Sequence, residues 1–168
     1  KIKLGISVGD INGIGLEVIL KTFMESKMLD YCTPIIYGHT KVASFHRKAL
    51  HLSEFMFNVI NSPADANPRK VNMINAWEED VKIDLGVANE TGGKYALLSL
   101  QKATDDLVTG AIDALVTATI NKNNIHKYCF ASIIIQSKNI IQEYHHYNLT
   151  SSNLRSLIMT SSKKKNSI

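Results

Sequence analysis

Gly9-Asp10-Ile11-Asn12-Gly13-Ile14-Gly15-Leu16-Glu17 follows a short apolar run at residues 3–8 and leads directly into a helix-like stretch. The run reads as a strand. In the stretch, Leu16, Ile19, Leu20, Phe23 and Met24 recur at helical spacing, which places five large apolar groups on one stripe. Strand, glycine-rich turn and helix in this order form a site for a small anion or a cofactor. Glycine tolerates positive φ and lets a ligand approach the backbone, and the first helical N–H groups carry partial positive charge. The spacing G-x-x-x-G-x-G is neither the dinucleotide fingerprint nor a phosphate-binding loop of the Walker type, since no Lys-Ser/Thr pair follows. Asp10 stands just past the strand end, where open α/β sheets bind ligands, but an isolated aspartate at such a place more often caps the following turn. Glu17, in the first helical turn, suits the helix dipole without any other role.

Outward from this turn, strand-like and helix-like stretches alternate to residue 128. Residues 34–37, 55–60, 71–74 and 114–117 read as strands. Val42, Phe45, Ala49 and Leu52 suggest a second amphipathic helix, and residues 93–109 a long one with Ala96, Leu100, Ala103 and Leu107 on one face, stopped by Gly110. The segment 61–68 reads as a loop, and residues 119–122 as a turn or helix start. This alternation predicts an α/β fold, a mostly parallel sheet with helices on both faces.

Residues 129–168 differ in character. They contain no Gly, Pro, Asp, Val or Trp, and their seven Ile, eight Ser and four Asn supply few turns. Two readings stand side by side: a divergent helical tail in which Ile140, Ile141 and Tyr144 pack and residues 161–168 are disordered, or translation out of frame from an A/T-rich gene. The chain thus divides into a partial α/β domain at 1–128 and an atypical basic tail at 129–168. Five basic side chains there (Lys138, Arg155, Lys163, Lys164, Lys165) against Glu143 account for the whole formal charge of +4. A neutral body provides no long-range field for polyanions, so no nucleic-acid partner is expected. No apolar run approaches the roughly 18 residues of a membrane span, and Lys1-Ile2-Lys3-Leu4 has no leader architecture. Cys32 and Cys129 show no metal or redox spacing, which makes a reduced, cytoplasmic setting the expectation.

The nine-residue turn resembles the Gly-Asp-Pro-x-Gly-Ile-Gly-Pro-Glu signature of the 4-phosphohydroxythreonine dehydrogenases of pyridoxal phosphate synthesis, with Ile11 and Leu16 in place of the prolines. Isocitrate and isopropylmalate dehydrogenases carry a similar turn. The family's Thr-Ala-Pro-Ile-Asn-Lys segment is matched by Thr117-Ala118-Thr119-Ile120-Asn121-Lys122, and its Gly-Lys-Val-Ser segment, more weakly, by Gly86-Val87-Ala88-Asn89. The resemblance covers residues 1 to about 127 and implies the N-terminal half of an isocitrate/isopropylmalate dehydrogenase-like fold. It implies an oxidoreductase that uses NAD or NADP and a divalent metal (zinc, magnesium or cobalt) to oxidise and decarboxylate a small phosphorylated substrate, in a cleft completed across a homodimer.

On that resemblance Asp10, Asn12, Gly13, Gly15, Asn121 and Lys122 face substrate or cofactor, with Lys122 toward the phosphate. The family's next landmark, Gly-His-Thr-Glu, does not follow Lys122, and its three metal-binding histidines come later still. The expectation is a truncated member with no metal site, no cofactor bound by the chain alone and no turnover. The alternative is a non-catalytic module binding a small phosphorylated ligand. His39, His46, His51, His126, His145 and His146 do not replace the missing ligands. Glu78-Glu79-Asp80 reads as a solvated loop or helix start. Tyr144, His145, His146 and Tyr147 beside Lys163, Lys164 and Lys165 make only a weak compositional match to an RNA-binding tail.

Overall fold

The computed structural model describes residues 1–121 and 123–125 and the backbone of Ile158–Thr160. Its elements in chain order are β1 (Ile2–Ser7), α1 (Gly15–Met24), a one-turn α2 (Met28–Tyr31), β2 (Cys32–Gly38), α3 (Thr40–Ala49), β3 (Asn58–Val59), β4 (Asn72–Asn75), α4 (Glu90–Val108), β5 (Ala114–Thr117) and β6 (Ile158–Thr160). They form one sheet in the order β3-β4-β2-β1-β5-β6. Every pairing is parallel except that of β6, which runs antiparallel to β5. The expected α/β fold, a mostly parallel sheet with helices on both faces, is the one observed.

Two apolar clusters cover the two faces. Ile36 and Met73 point to one face, with Leu16, Ile19 and Phe23 of α1 and Val42 and Ala43 of α3. Ile35, Tyr37 and Ile74 point to the other, with Ala103 and Leu107 of α4. A strand buried on both faces shows an apolar run instead of alternation, which is why β2 is buried along its whole length. Hydrogen bonds link the layers: Ser99 of α4 accepts from the Val8 N–H and donates to the Tyr37 carbonyl, both buried.

Several elements depart from expectation. Met24 leaves the α1 stripe and is exposed, because it stands in the last turn, where the chain becomes extended at Glu25. The buried face of α3 is Val42, Ala43 and His46, with Phe45 exposed; the stripe rotates because His46 finds an acceptor inside the core. The strand expected at 55–60 shrinks to two residues, since Phe55 and Phe57 pack edge-on against each other and on the first cluster. Helix α4 begins three residues early, at Glu90, where the Asn89 side chain accepts from the Gly92 N–H. The loop at 61–68 includes a short 3-10 turn, Pro63–Asp65. Strand β6 is a structured piece of the tail; Ile140, Ile141, Tyr144 and residues 161–168 lie outside the described residues. Among the described residues no helix is long and apolar enough to cross a membrane.

Candidate functional site

Helix α1 carries the chain from β1 outward to β2 on one face. Helix α4 brings it back past β2 and β1 to β5 across the other face. Chain direction therefore reverses between β1 and β5, and the loops leaving their carboxyl ends diverge. In open α/β sheets such a switch point is where ligands bind. A cavity of about 430 Å³ lies there. Its walls are the glycine turn (Asp10, Asn12, Gly13, Ile14), an irregular strap (Gly86, Val87, Ala88) and the segment after β5 (Thr119, Ile120, Asn121). A second, smaller depression on the outside of α3 involves Thr40, Lys41, Ser44, Phe45 and Lys48 and has none of these elements.

Asp10 is buried, with both carboxylate oxygens engaged: Oδ1 accepts from the Asn12 N–H at 2.9 Å and Oδ2 from Asn124 Nδ2 at 2.8 Å. The first bond is the turn cap read from the sequence. The carboxylate also fills the space where a side chain on Gly92, in the first turn of α4, would stand. Asp10 thus joins the turn, the start of α4 and the 123–125 segment, while still lining the cavity.

Asn12 is buried and fully engaged. Its Oδ1 accepts from the Asp84 N–H at 2.9 Å, and its Nδ2 donates to the Val87 carbonyl at 3.1 Å and to Asn89 Oδ1 at 3.0 Å. Its own carbonyl accepts from the Gly86 N–H at 2.9 Å. Instead of offering a free amide to a ligand, its side chain stitches the turn to the strap.

The glycines have separate duties. Gly9, at φ +68°, packs on the Thr119 backbone, and the Asp10 N–H donates to the Thr119 carbonyl at 3.0 Å. Gly15 is buried and lines no part of the cavity; a Cβ there would strike the Val8 carbonyl, so this glycine lets α1 sit on the end of β1. Gly13 opens onto the cavity, followed by Ile14 at an α1 start that has no side-chain cap. Asn121 faces the cavity from the opposite wall; its Oδ1 accepts from the Asn123 N–H at 3.0 Å, and its Nδ2 has no partner among the described residues. Lys122 lies outside the described residues.

Sequence reasoning missed the support behind the turn. His46 Nε2 donates to the Ile11 carbonyl at 2.8 Å from a buried position. Burial lowers its pKa, opposed by the bond to Ile11 and by nearby Glu17. His39 caps α3 by accepting from the Lys41 N–H and stacks on Trp77, which in turn packs on Tyr95. Glu79 accepts from Lys94 and Tyr95, and Asp80 pairs with Lys41, so the acidic run ties its loop to α3 and α4. Only a carboxyl-rich segment beside two lysine-bearing helices hinted at this. Among the described residues no three His, Cys, Asp or Glu side chains gather to hold a metal.

A parallel sheet with its crevice at this switch point places the chain in the class of open α/β proteins. A 4-hydroxythreonine-4-phosphate dehydrogenase structure from Burkholderia phymatum superposes on 74% of the chain with a TM-score of 0.69 at 24% identity, covering 38% of that protein. The family model described as "Pyridoxal phosphate biosynthetic protein PdxA" matches residues 30–161, and the chain belongs to that family. It is similar to the 4-hydroxythreonine-4-phosphate dehydrogenase of Bacteroides thetaiotaomicron, 44% identical over 131 residues, which are 78% of this chain and 36% of that protein. The enzyme of the same name from Prosthecochloris aestuarii is 33% identical over 125 residues, 71% of this chain and 37% of that protein. The chain therefore spans little more than a third of the length of these relatives.

Proposed function

We propose that this chain forms the phosphate-side wall of a 4-hydroxythreonine-4-phosphate dehydrogenase. The observation that carries the reading is the cavity at the β1/β5 switch point, whose three walls all come from segments that resemble the family's motifs, that at Gly86 more weakly. Gly13 and Ile14 bring the positive end of α1 to one side, which favours an anion, and Asn121 offers an amide donor from the other. The segment matched to the family's motif continues in sequence with Lys122, which lies outside the described residues. These groups bind and orient the phosphate end of a small substrate.

The whole protein's proposed chemistry is oxidation of the substrate's hydroxyl by NAD or NADP followed by decarboxylation, aided by a divalent metal that polarises the reacting oxygen. A homodimer and a cytoplasmic setting belong to the same proposal. The described residues do not fit either group. No metal-ligand set is present among them, and Gly9 and Gly15 are taken up by packing, so the turn leaves no open backbone cradle for a pyrophosphate. We propose that these 168 residues alone bind the phosphorylated ligand without turning it over.

The test is a titration of the chain with 4-hydroxythreonine 4-phosphate and with the unphosphorylated amino acid. The phosphorylated form is expected to bind at least about tenfold more tightly, a difference of about 1.4 kcal/mol. Equal affinities would contradict the reading. Reduction of NAD by the chain with metal and substrate, at the rate of full-length relatives, would contradict its second part.

A further inference from the structure

The strap at 84–88 carries neither helix nor strand, and its outward side chains do not anchor it: Leu85 and Val87 are each about half exposed. It is a tight turn closed by the Val87 N–H donating to the Asp84 carbonyl at 3.1 Å, with Gly86 at φ +77° in the position that requires it. Upstream, Val81 and Ile83 pack on the core. Downstream, Asn89 caps α4. Between these anchors the described hydrogen bonds that fix the strap to the body all run to Asn12, through the Asp84 N–H, the Gly86 N–H and the Val87 carbonyl. Asn12 fills the inside of the turn as a plug.

We propose that Asn12 is a positioning residue that holds the strap in place as the third wall of the ligand cavity, so that anion affinity depends on a side chain with no polar atom left for the ligand. The inference rests on the phosphate reading of the cavity and deepens it. Its mechanism is preorganisation: a strap already held in place loses no freedom when the ligand arrives, whereas a released strap must be ordered at the expense of affinity.

The experiment compares the full chain with its Asn12→Ala and Gly86→Val variants by amide exchange and by titration with inorganic phosphate. Asn12→Ala removes the plug. Gly86→Val strains the turn from the outside, where a Cβ meets open space but φ is positive, and leaves buried Asn12 in place. In Asn12→Ala the Asp84 and Gly86 amides are expected to exchange at least tenfold faster while the sheet amides of Ile36 and Leu115 keep their protection. Both variants should bind phosphate roughly 5–10-fold more weakly.

Loss of protection in strap and sheet together would reduce Asn12 to general stability and overturn the proposal. Unchanged phosphate affinity in either variant would overturn it as well. If the unaltered chain takes up no phosphate, the anion reading and the ligand role of the strap fall together. Binding by the unaltered chain with equal binding by the variants overturns only the role of Asn12.

Discussion

At Asp10 the two carboxylate oxygens hold two different parts of the chain, the Asn12 amide and the Asn124 side chain. Asp10→Ala should therefore cost about 2 kcal/mol, the range for stranding buried donors, measured as a lowered denaturation midpoint at unchanged slope. His46 gives a pH signature. Its folded pKa lies below the ordinary 6.5, so the unfolded chain binds more protons as the medium acidifies. Its contribution is complete above about pH 6.5 and is lost as pH falls toward the lowered value. His46→Gln keeps a donor for the Ile11 carbonyl and cannot titrate. Its stability should fall less between pH 7 and 5 than that of the unaltered chain, and parallel melting curves across that range would contradict the assignment. Of these residues only the Asp10 cap was legible in the sequence, because its partner is two positions away. The partners of Asn12 lie more than 70 positions away and that of His46 lies 35 away, and no local pattern records such distances.

At the scale of elements, α3 ends with His51 at φ +57°, in the left-handed conformation that glycine adopts without cost. The bonds that close this end, Leu52 N–H to the Arg47 carbonyl and His51 N–H to the Lys48 carbonyl, are backbone bonds that a substitution there leaves intact. His51→Gly should raise stability by about 1 kcal/mol, seen as a higher melting temperature with no change in the fold. The body of each long helix and the position of β5 were legible because apolar spacing and stop signals are local. The shift of the buried face of α3 was not, since a histidine counts as polar until its acceptor, the Ile11 carbonyl, is in place. Nor was the early start of α4, which depends on the Asn89 side chain folding back on its own helix. The short β3 follows from Phe55 and Phe57 preferring each other and the core to the sheet edge.

At the scale of the whole molecule, the order of strands was not in the sequence, and it is the order that creates the crevice. Two motifs more than 100 positions apart in the chain meet there because α1 and α4 cross opposite faces of the sheet, which makes neighbours of β1 and β5. The shared α/β core accounts for the resemblance to longer dehydrogenases, of which the chain matches 36% of the length in the Bacteroides thetaiotaomicron relative. We propose that this crevice receives the phosphate end of the substrate. Amide chemical shifts recorded while 4-hydroxythreonine 4-phosphate is added test it most directly. Saturable shifts are predicted at Gly13, Ile14, Gly86 and Asn121, with Ser44 and Lys48 on the outside of α3 unmoved. Saturation without movement of those four amides, or with movement centred on α3, would contradict it.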